Sequence, residues 1–243
     1  MGRGIKTVEL NERDLFSLFL LNKFRVLDAK SLAILGGFPS ESYCSTRLQK
    51  LAKYGYIKRE KVATTLPLIH YLTTKGNDEV SDRRTKHKPT ITTLKKELAV
   101  GQVASFLCLK KAIQPRDVIT DRELRQYERQ LYDVRAMEHK GNLLFVESQS
   151  GDRVVVEVEL TFKGRDRTVK NIQNNRNHSD RQLWFIKKSM RGLRDLLLEE
   201  GINEADIFYI DKLEFEEKFP EEAINKDISE YSFVENIQSF YNQ

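Results

Sequence analysis

The stretch Arg153-Val-Val-Val-Glu-Val-Glu-Leu-Thr-Phe-Lys163 alternates with a period of two. Val154, Val156, Val158, Leu160 and Phe162 fall on one side, and Arg153, Val155, Glu157, Glu159, Thr161 and Lys163 on the other, which predicts a strand with one apolar face. Residues two apart project the same way at about 3.3 Å of rise each, so the second face carries two carboxylates roughly 6 to 7 Å apart, with a lysine in the same row. Like charges that close repel and raise one another's pKa unless a cation lies between them, and a divalent metal ion relieves that cost.

Upstream, Leu131-Tyr132-Asp133 precedes a turn at Lys140-Gly141-Asn142 and an apolar strand, Leu143 to Val146. Asp133 is expected on a neighbouring strand of the same sheet, completing a carboxylate cage for Mg2+ or Mn2+ with Glu157 and Glu159. Glu123, on a helix ahead of Asp133, reads either as an auxiliary ligand or as an exposed helix residue. Downstream, a cationic helix Arg165–Arg176, a buried strand Gln182–Ile186, a helix Ser189–Glu200 and a strand Ala205–Ile210 give an α/β order with a mixed central sheet.

The first half has a different rhythm. Apolar residues from Leu15 to Leu20 mark a helix with Asn11 as its N-cap; Asp28 caps a second helix, Ala29 to Leu35, which Gly36 and Gly37 stop; and Ser40 caps a third that runs to about Tyr54. On the third helix Cys44, Leu48 and Leu51 share one face, leaving Ser42, Ser45, Thr46, Gln49, Lys50 and Lys53 on the others. Small hydroxyls and amides reach base edges in a major groove while lysines bind phosphate. After Gly55, two β-rich segments, Tyr56–Val62 and Leu68–Thr73, form a hairpin whose Lys58, Arg59 and Lys61 extend the same cationic surface. His70 reads as a core or edge-strand residue, because no His or Cys stands at ligand spacing from it. A further helix is expected from Ile91 to Ala112.

The string STRLQKLAKYGYIKRE…IHYLTTKG resembles winged helix-turn-helix DNA-binding domains, and the alternative is an interaction domain that uses that fold to hold protein. An acidic residue, a gap and then Glu-x-Glu with a nearby Lys resembles the PD-(D/E)XK nuclease superfamily, the fold of type II restriction endonucleases. Two positions depart from that pattern: Tyr132 stands where proline precedes the Asp, and Glu159 stands where the lysine is expected, with Lys163 four residues on. Asp133 followed by EVELTFK behind a winged helix is similar to the MOBC class of plasmid relaxases and to the replication-relaxation family. The resemblance implies an N-terminal α+β winged-helix domain, residues 1–89, and a C-terminal α/β restriction-endonuclease-like domain, residues 90–243, with an acidic C-terminal segment. It also implies a metal-dependent endonuclease that nicks one strand of supercoiled plasmid DNA at an origin of transfer, alongside accessory mobilisation or coupling proteins. Asp133, Glu157 and Glu159 would hold one or two Mg2+ or Mn2+ ions, with Lys163 beside the scissile phosphate. The alternative is a non-catalytic DNA-binding regulator of plasmid replication or transfer.

Composition agrees with a nucleic-acid partner. The 243 residues carry 41 Lys and Arg against 36 Asp and Glu, net +5, yet residues 1–111 hold 21 basic and 10 acidic groups while residues 199–243 hold 3 and 13. A sustained cationic excess attracts a polyanion. With 40% hydrophobic residues the chain is neither disordered nor collagen-like, and Cys44 and Cys108, each among apolar residues, read as buried thiols in a reducing cytoplasm. No run of about 18 apolar residues occurs, so no membrane insertion is expected. None of His70, His87, His139 and His178 lies two residues from another, which disfavours a His-hydrophobe-His metal motif with a tyrosine nucleophile. Tyr127 and Tyr132 keep a covalent tyrosyl route open, although an ordinary helix or strand role is simpler for each. No GxxxxGK[ST] phosphate loop is present.

Overall fold

The computed structural model describes residues 9–80, 90–132, 141–215, 224, 226–229 and 231–242. The chain is a mixed α/β protein that divides into two compact units, one formed by Met1–Gly101 with the described part of Glu216–Glu230, the other by Gln102–Phe215 and Tyr231–Gln243.

In the first unit the order is α1 (Glu12–Phe24), β1 (Leu27–Asp28), α2 (Ala29–Leu35), α3 (Glu41–Lys53), β2 (Ile57–Glu60), β3 (Ile69–Leu72), α4 (Thr74–Asp78) and the first half of α5 (Ile91–Lys111). The caps explain the helix starts. Asn11 Oδ1 accepts from Asp14 N at 2.9 Å while Asp14 Oδ2 accepts from Asn11 N at 3.2 Å, a reciprocal box that satisfies two otherwise unpaired donors. Asp28 and Ser40 cap α2 and α3 at 2.7 and 3.1 Å. Asp14 does further work: buried, it accepts from Arg47 Nε at 3.0 Å and from the same guanidinium at its other oxygen, which ties α1 to α3.

β2 and β3 form the expected hairpin in the register Ile57↔Leu72 and Glu60↔Ile69. A third strand was not legible: β1 is only two residues long and pairs antiparallel with β3, Leu27↔His70, giving the order β1-β3-β2. That addition puts His70 on the central strand, fully buried, with Nδ1 3.3 Å from the Leu27 carbonyl and Arg59 Nε 3.4 Å from Nε2. After the hairpin, Thr73 caps α4, and the fit there requires glycine: a Cβ at Gly76 would sit 2.0 Å from the Tyr56 carbonyl oxygen. Pro89, where the domain boundary was expected, lies outside the described residues. Leu94 and Leu98 of α5 pack with Val26, Ile69 and Tyr71, and Gly101 lies so close to Leu27 that a Cβ would come within 2.4 Å of it, so the first two turns of the helix and more belong to the first core.

The second unit contains the rest of α5, then β4 (Ile119–Thr120), α6 (Asp121–Tyr132), β5 (Leu143–Val146), β6 (Arg153–Glu159), α7 (Arg165–Arg176), β7 (Arg181–Ile186), α8 (Arg191–Glu199), β8 (Ile207–Tyr209) and α9 (Phe233–Tyr241). The sheet runs β4-β5-β6-β7-β8, antiparallel from β4 to β6 and parallel from β6 to β8. Asp180 fixes the start of the parallel pair, accepting from Arg153 N at 2.9 Å and from its guanidinium twice at 3.0 Å; that guanidinium, first of all, pulls the Asp180 carboxyl down to about 2. On one sheet face Phe185 stacks on Phe208 at 4.8 Å and both meet Phe106 of α5 edge-on. On the other, Ile172, Trp184, Ile186, Leu193 and Leu197 form a core with α7 and α8, and Ile119, Leu144, Val155, Ile237 and Phe240 form a second with α6 and α9. The acidic C-terminal segment, unassigned by sequence, thus ends in a helix built into the sheet's packing. Among the described residues no helix is long and apolar enough to cross a membrane.

Burial pushes the His70 imidazole down to about 4, with the Arg59 charge adding to it. A buried group held neutral below its ordinary pKa stabilises the fold above about 6.5 and loses that contribution as pH falls towards 4, on the order of 3 kcal/mol in full. Urea midpoints of the wild type should therefore fall between pH 6.5 and 4 more steeply than those of His70→Leu; parallel profiles would show that His70 titrates normally.

Candidate functional site

β6 carries the two glutamates, and its parallel register with β7 sets where they point. Glu157 lies beside Trp184 and Glu159 beside Ile186, and directly paired residues share a sheet face, so both carboxylates stand on the side covered by α7 and α8. Val158 pairs with Phe185 and takes the opposite face. The period-two alternation is therefore real but has no solvated side: Glu157 and Glu159 are 0% and 5% exposed.

Burying a carboxylate is costly unless hydrogen bonds replace water. Asn175, projecting from α7, supplies one, donating from Nδ2 to Glu157 Oε1 at 3.0 Å. Its own Oδ1 is buried and makes no hydrogen bond among the described residues. Such an oxygen calls for an explanation, and an unfilled polar ligand position is one of the recognised ones. At Glu159 the compensation comes from Lys163 Nζ, 2.7 Å from Oε1.

Lys163 reaches that carboxylate in an unexpected way. The strand was expected to run on to Lys163 and keep it in the glutamate row, but β6 ends at Glu159, the chain turns, and the lysine returns from four residues beyond. Phe162, expected on the apolar face, is instead 47% exposed.

Glu123 is not an exposed helix residue. Buried in the first turn of α6, it accepts from Thr120 N at 2.9 Å and Thr120 Oγ1 at 2.8 Å through one oxygen, and from Tyr231 OH at 2.5 Å through the other. It closes a capping box and holds the segment leading into α9. Asp133 lies outside the described residues, so the third member of the expected cage is not placed; Tyr132, just before it, is the last residue of α6.

Two asparagines were missed in the sequence. Asn175 is one. Asn142 is the other: its backbone N donates to the Val156 carbonyl at 2.8 Å and its Oδ1 accepts from Val158 N at 2.7 Å, which pins the strand on both sides of Glu157. Gly141 makes the approach possible, with φ at +82° and a Cβ position 2.4 Å from Val155 Cγ1. The Gly-Asn pair read only as a turn, and nothing in the sequence marks Asn175 among the polar residues of α7.

The candidate ligand atoms placed here are the carboxylate oxygens of Glu157 and Glu159 and the buried Oδ1 of Asn175, hard oxygens of the kind that suit Mg2+ or Mn2+ better than a thiophilic ion. Among the described residues no group of three or more Asp, Glu, His or Cys side chains converges.

In the first unit the surface proposed from sequence separates into an open and a half-covered set. Ser42, Thr46, Gln49, Lys50 and Lys53 on α3, and Lys58 and Lys61 on the hairpin, are exposed. Ser45 and Arg59 are half-buried, Arg59 being turned to His70. Cys44 is fully buried on the inner side of α3, and burial pushes its thiol pKa up, so it stays protonated. Tyr43, 46% exposed in the first turn of α3 and 6.2 Å from the Phe38 ring, adds an aromatic group to this surface that the sequence did not single out.

Compared with known proteins, the chain matches no family model, no curated protein and no solved structure.

Removing the Asn175 amide leaves a buried carboxylate oxygen without its donor, a loss of roughly 1 to 3 kcal/mol. Asn175→Leu should lower the urea-derived stability by that amount, and Glu157→Gln should recover part of it in the double variant; additive effects would mean the two side chains do not communicate.

Proposed function

We propose that the protein is a metal-dependent, strand-specific DNA endonuclease of the plasmid relaxase kind, nicking supercoiled DNA at an origin of transfer to begin mobilisation. The observation that carries this reading is the buried Glu157 carboxylate on the central strand of a mixed sheet, fixed by Asn175 and next in its row to the Glu159–Lys163 pair. Carboxylates kept in a core cost stability unless they are paired and hydrogen-bonded, which makes this row a candidate site. The meander β4-β5-β6 followed by parallel β7 is compatible with a restriction-endonuclease-like domain, and three helices with a hairpin, α3 outward, are compatible with a winged helix.

In this reading Glu157 and Glu159, with Asp133, would hold one or two Mg2+ or Mn2+ ions, which when bound would supply charge neutralisation at the phosphate and acidify a water. Asn175 keeps Glu157 in one rotamer through its Nδ2 donor. Lys163, released from Glu159 when the phosphate arrives, neutralises charge on the pentavalent transition state. An oxygen nucleophile bonds to phosphorus as a bridging P–O bond breaks, and the departing oxygen takes a proton. Sequence preference comes from Ser42, Ser45, Thr46 and Gln49 at base edges, with Lys50, Lys53, Lys58, Arg59 and Lys61 on phosphates.

A second reading, a DNA-binding regulator without catalysis, is favoured by one observation: Glu159 is already neutralised by Lys163. The two readings part on one assay. With Mg2+ or Mn2+, purified protein should convert supercoiled origin plasmid to open circle, and Asp133→Ala or Glu157→Gln should slow conversion at least about a hundredfold while DNA affinity stays within about twofold. Binding with no nick at any metal concentration selects the regulator, and cuts in both strands select a restriction-type hydrolase.

Each phosphate contact releases counterions, so a lysine that neutralises one phosphate contributes about 0.9 to the slope of log K against log salt on duplex DNA. Lys50→Ala with Lys53→Ala should reduce that slope by about 2 in fluorescence anisotropy titrations. An unchanged slope places the duplex elsewhere.

A further inference from the structure

The parallel half of the sheet delivers three chain exits to one edge. Glu159, Ile186 and Tyr209 lie in register at the carboxyl ends of β6, β7 and β8, and Lys188 N donates to Asp211 Oδ1 at 2.9 Å, fastening the second exit to the third. The carboxyl edge of a parallel sheet is where open α/β folds place ligands.

That edge is cationic. Arg167, Lys187, Lys188 and Arg191 are exposed there, against two carboxylates: Asp211, which feels the Lys188 charge, and Asp166 in the first turn of α7. Phe162 stands in the same margin, 47% exposed, between the buried glutamates and the start of α7. The margin thus combines an exposed ring with four exposed cations on the loops and helix starts that follow β6 and β7. Both α7 and α8 begin at this edge without a side-chain cap, so their first N–H groups add to the positive potential. Aromatic faces interleaved with lysine and arginine are the composition of single-strand platforms, where rings stack on bases and cations track the backbone. A paired duplex hides the base faces that such a ring would meet.

We propose that this margin of the second unit binds single-stranded nucleic acid, with Phe162 stacked on an unpaired base and Arg167, Lys187, Lys188 and Arg191 along its phosphates. The proposal rests on the nucleic-acid reading above for the identity of the polyanion and adds a contact separate from the α3 surface. It gives the site a means of holding a displaced strand next to Glu157 and Glu159.

The test uses the full-length protein in EDTA, so that nicking plays no part, and an oligonucleotide of random sequence carrying one 2-aminopurine. Wild type should bind the single strand and quench 2-aminopurine fluorescence by stacking. Phe162→Ala, at a surface position where folding is not at stake, should weaken single-strand binding about tenfold and abolish the quenching, while duplex affinity changes less than twofold; Phe162→Trp should retain both signals. Lys187→Glu with Lys188→Glu should flatten the salt dependence of single-strand binding alone. Equal single-strand affinity for wild type and Phe162→Ala, or undiminished quenching without the ring, overturns the platform. So does Phe162-dependent binding to phosphatidylserine vesicles with no binding to the oligonucleotide. Phe162-dependent binding by a protein that never nicks supports the platform and removes only the catalytic assignment.

Discussion

The second unit is organised around a carboxylate that water cannot reach. Glu157 sits on the central strand of the sheet, beside Trp184 and under α7, where a charge is tolerated only if polar groups are brought in to meet it. That need explains Asn175, and a separate backbone need explains Asn142 and Gly141. Asn175 is a buried asparagine on a helix whose other inward residues include Ile172. Asn142 fixes the backbone on both sides of the glutamate, and Gly141 is the residue that lets it come close. A hydrocarbon at position 157 would remove the need for the Asn175 amide, while the Val156 and Val158 backbone groups would still require Asn142.

The strand that holds Glu157 is anchored differently at its two ends. At its start, Arg153 and Asp180 exchange backbone and side-chain hydrogen bonds and set the register with β7. At its finish the chain leaves the sheet immediately after Glu159, exposing Phe162 and sending Lys163 back over the carboxylate. One end is closed by an ion pair internal to the fold, and the other opens into a cationic margin. This polarity follows from parallel strands, whose carboxyl ends collect on one edge and whose crossover helices begin there.

In the first unit the constraint is geometric rather than electrostatic. α3 buries Cys44, Leu48 and Leu51, and Arg47 reaches back to the buried Asp14 of α1. With those contacts made, the helix has one orientation, and its hydroxyl, amide and lysine side chains face outward together with Lys58 and Lys61 of the hairpin. Asp14 serves both as the partner in the α1 capping box and as the seat of the Arg47 guanidinium, so a local start signal and a tertiary tie share one side chain.

By itself the sequence determined the elements that local chemistry encodes. The caps at Asn11, Asp28 and Ser40, the amphipathic α3, the hairpin, and the strands at Leu143–Val146 and around Glu157 follow from short-range patterns, and each is present within a few residues of its expected bounds. Only the tertiary structure decided the rest. The two-residue strands β1 and β4 carry no period to detect, and they exist because a neighbouring strand offers hydrogen bonds. Glu123 looked like an exposed helix residue because its buried partner, Tyr231, is more than a hundred positions away. Leu94 and Leu98 join the first unit's core because their apolar partners are Val26 and the β3 residues Ile69 and Tyr71, far away in sequence. Alternation placed Glu157 and Glu159 on one face but could not tell whether that face meets water or α7. Burial is a property of what packs on a strand, and the strand's own residues do not encode the distant segment that covers them.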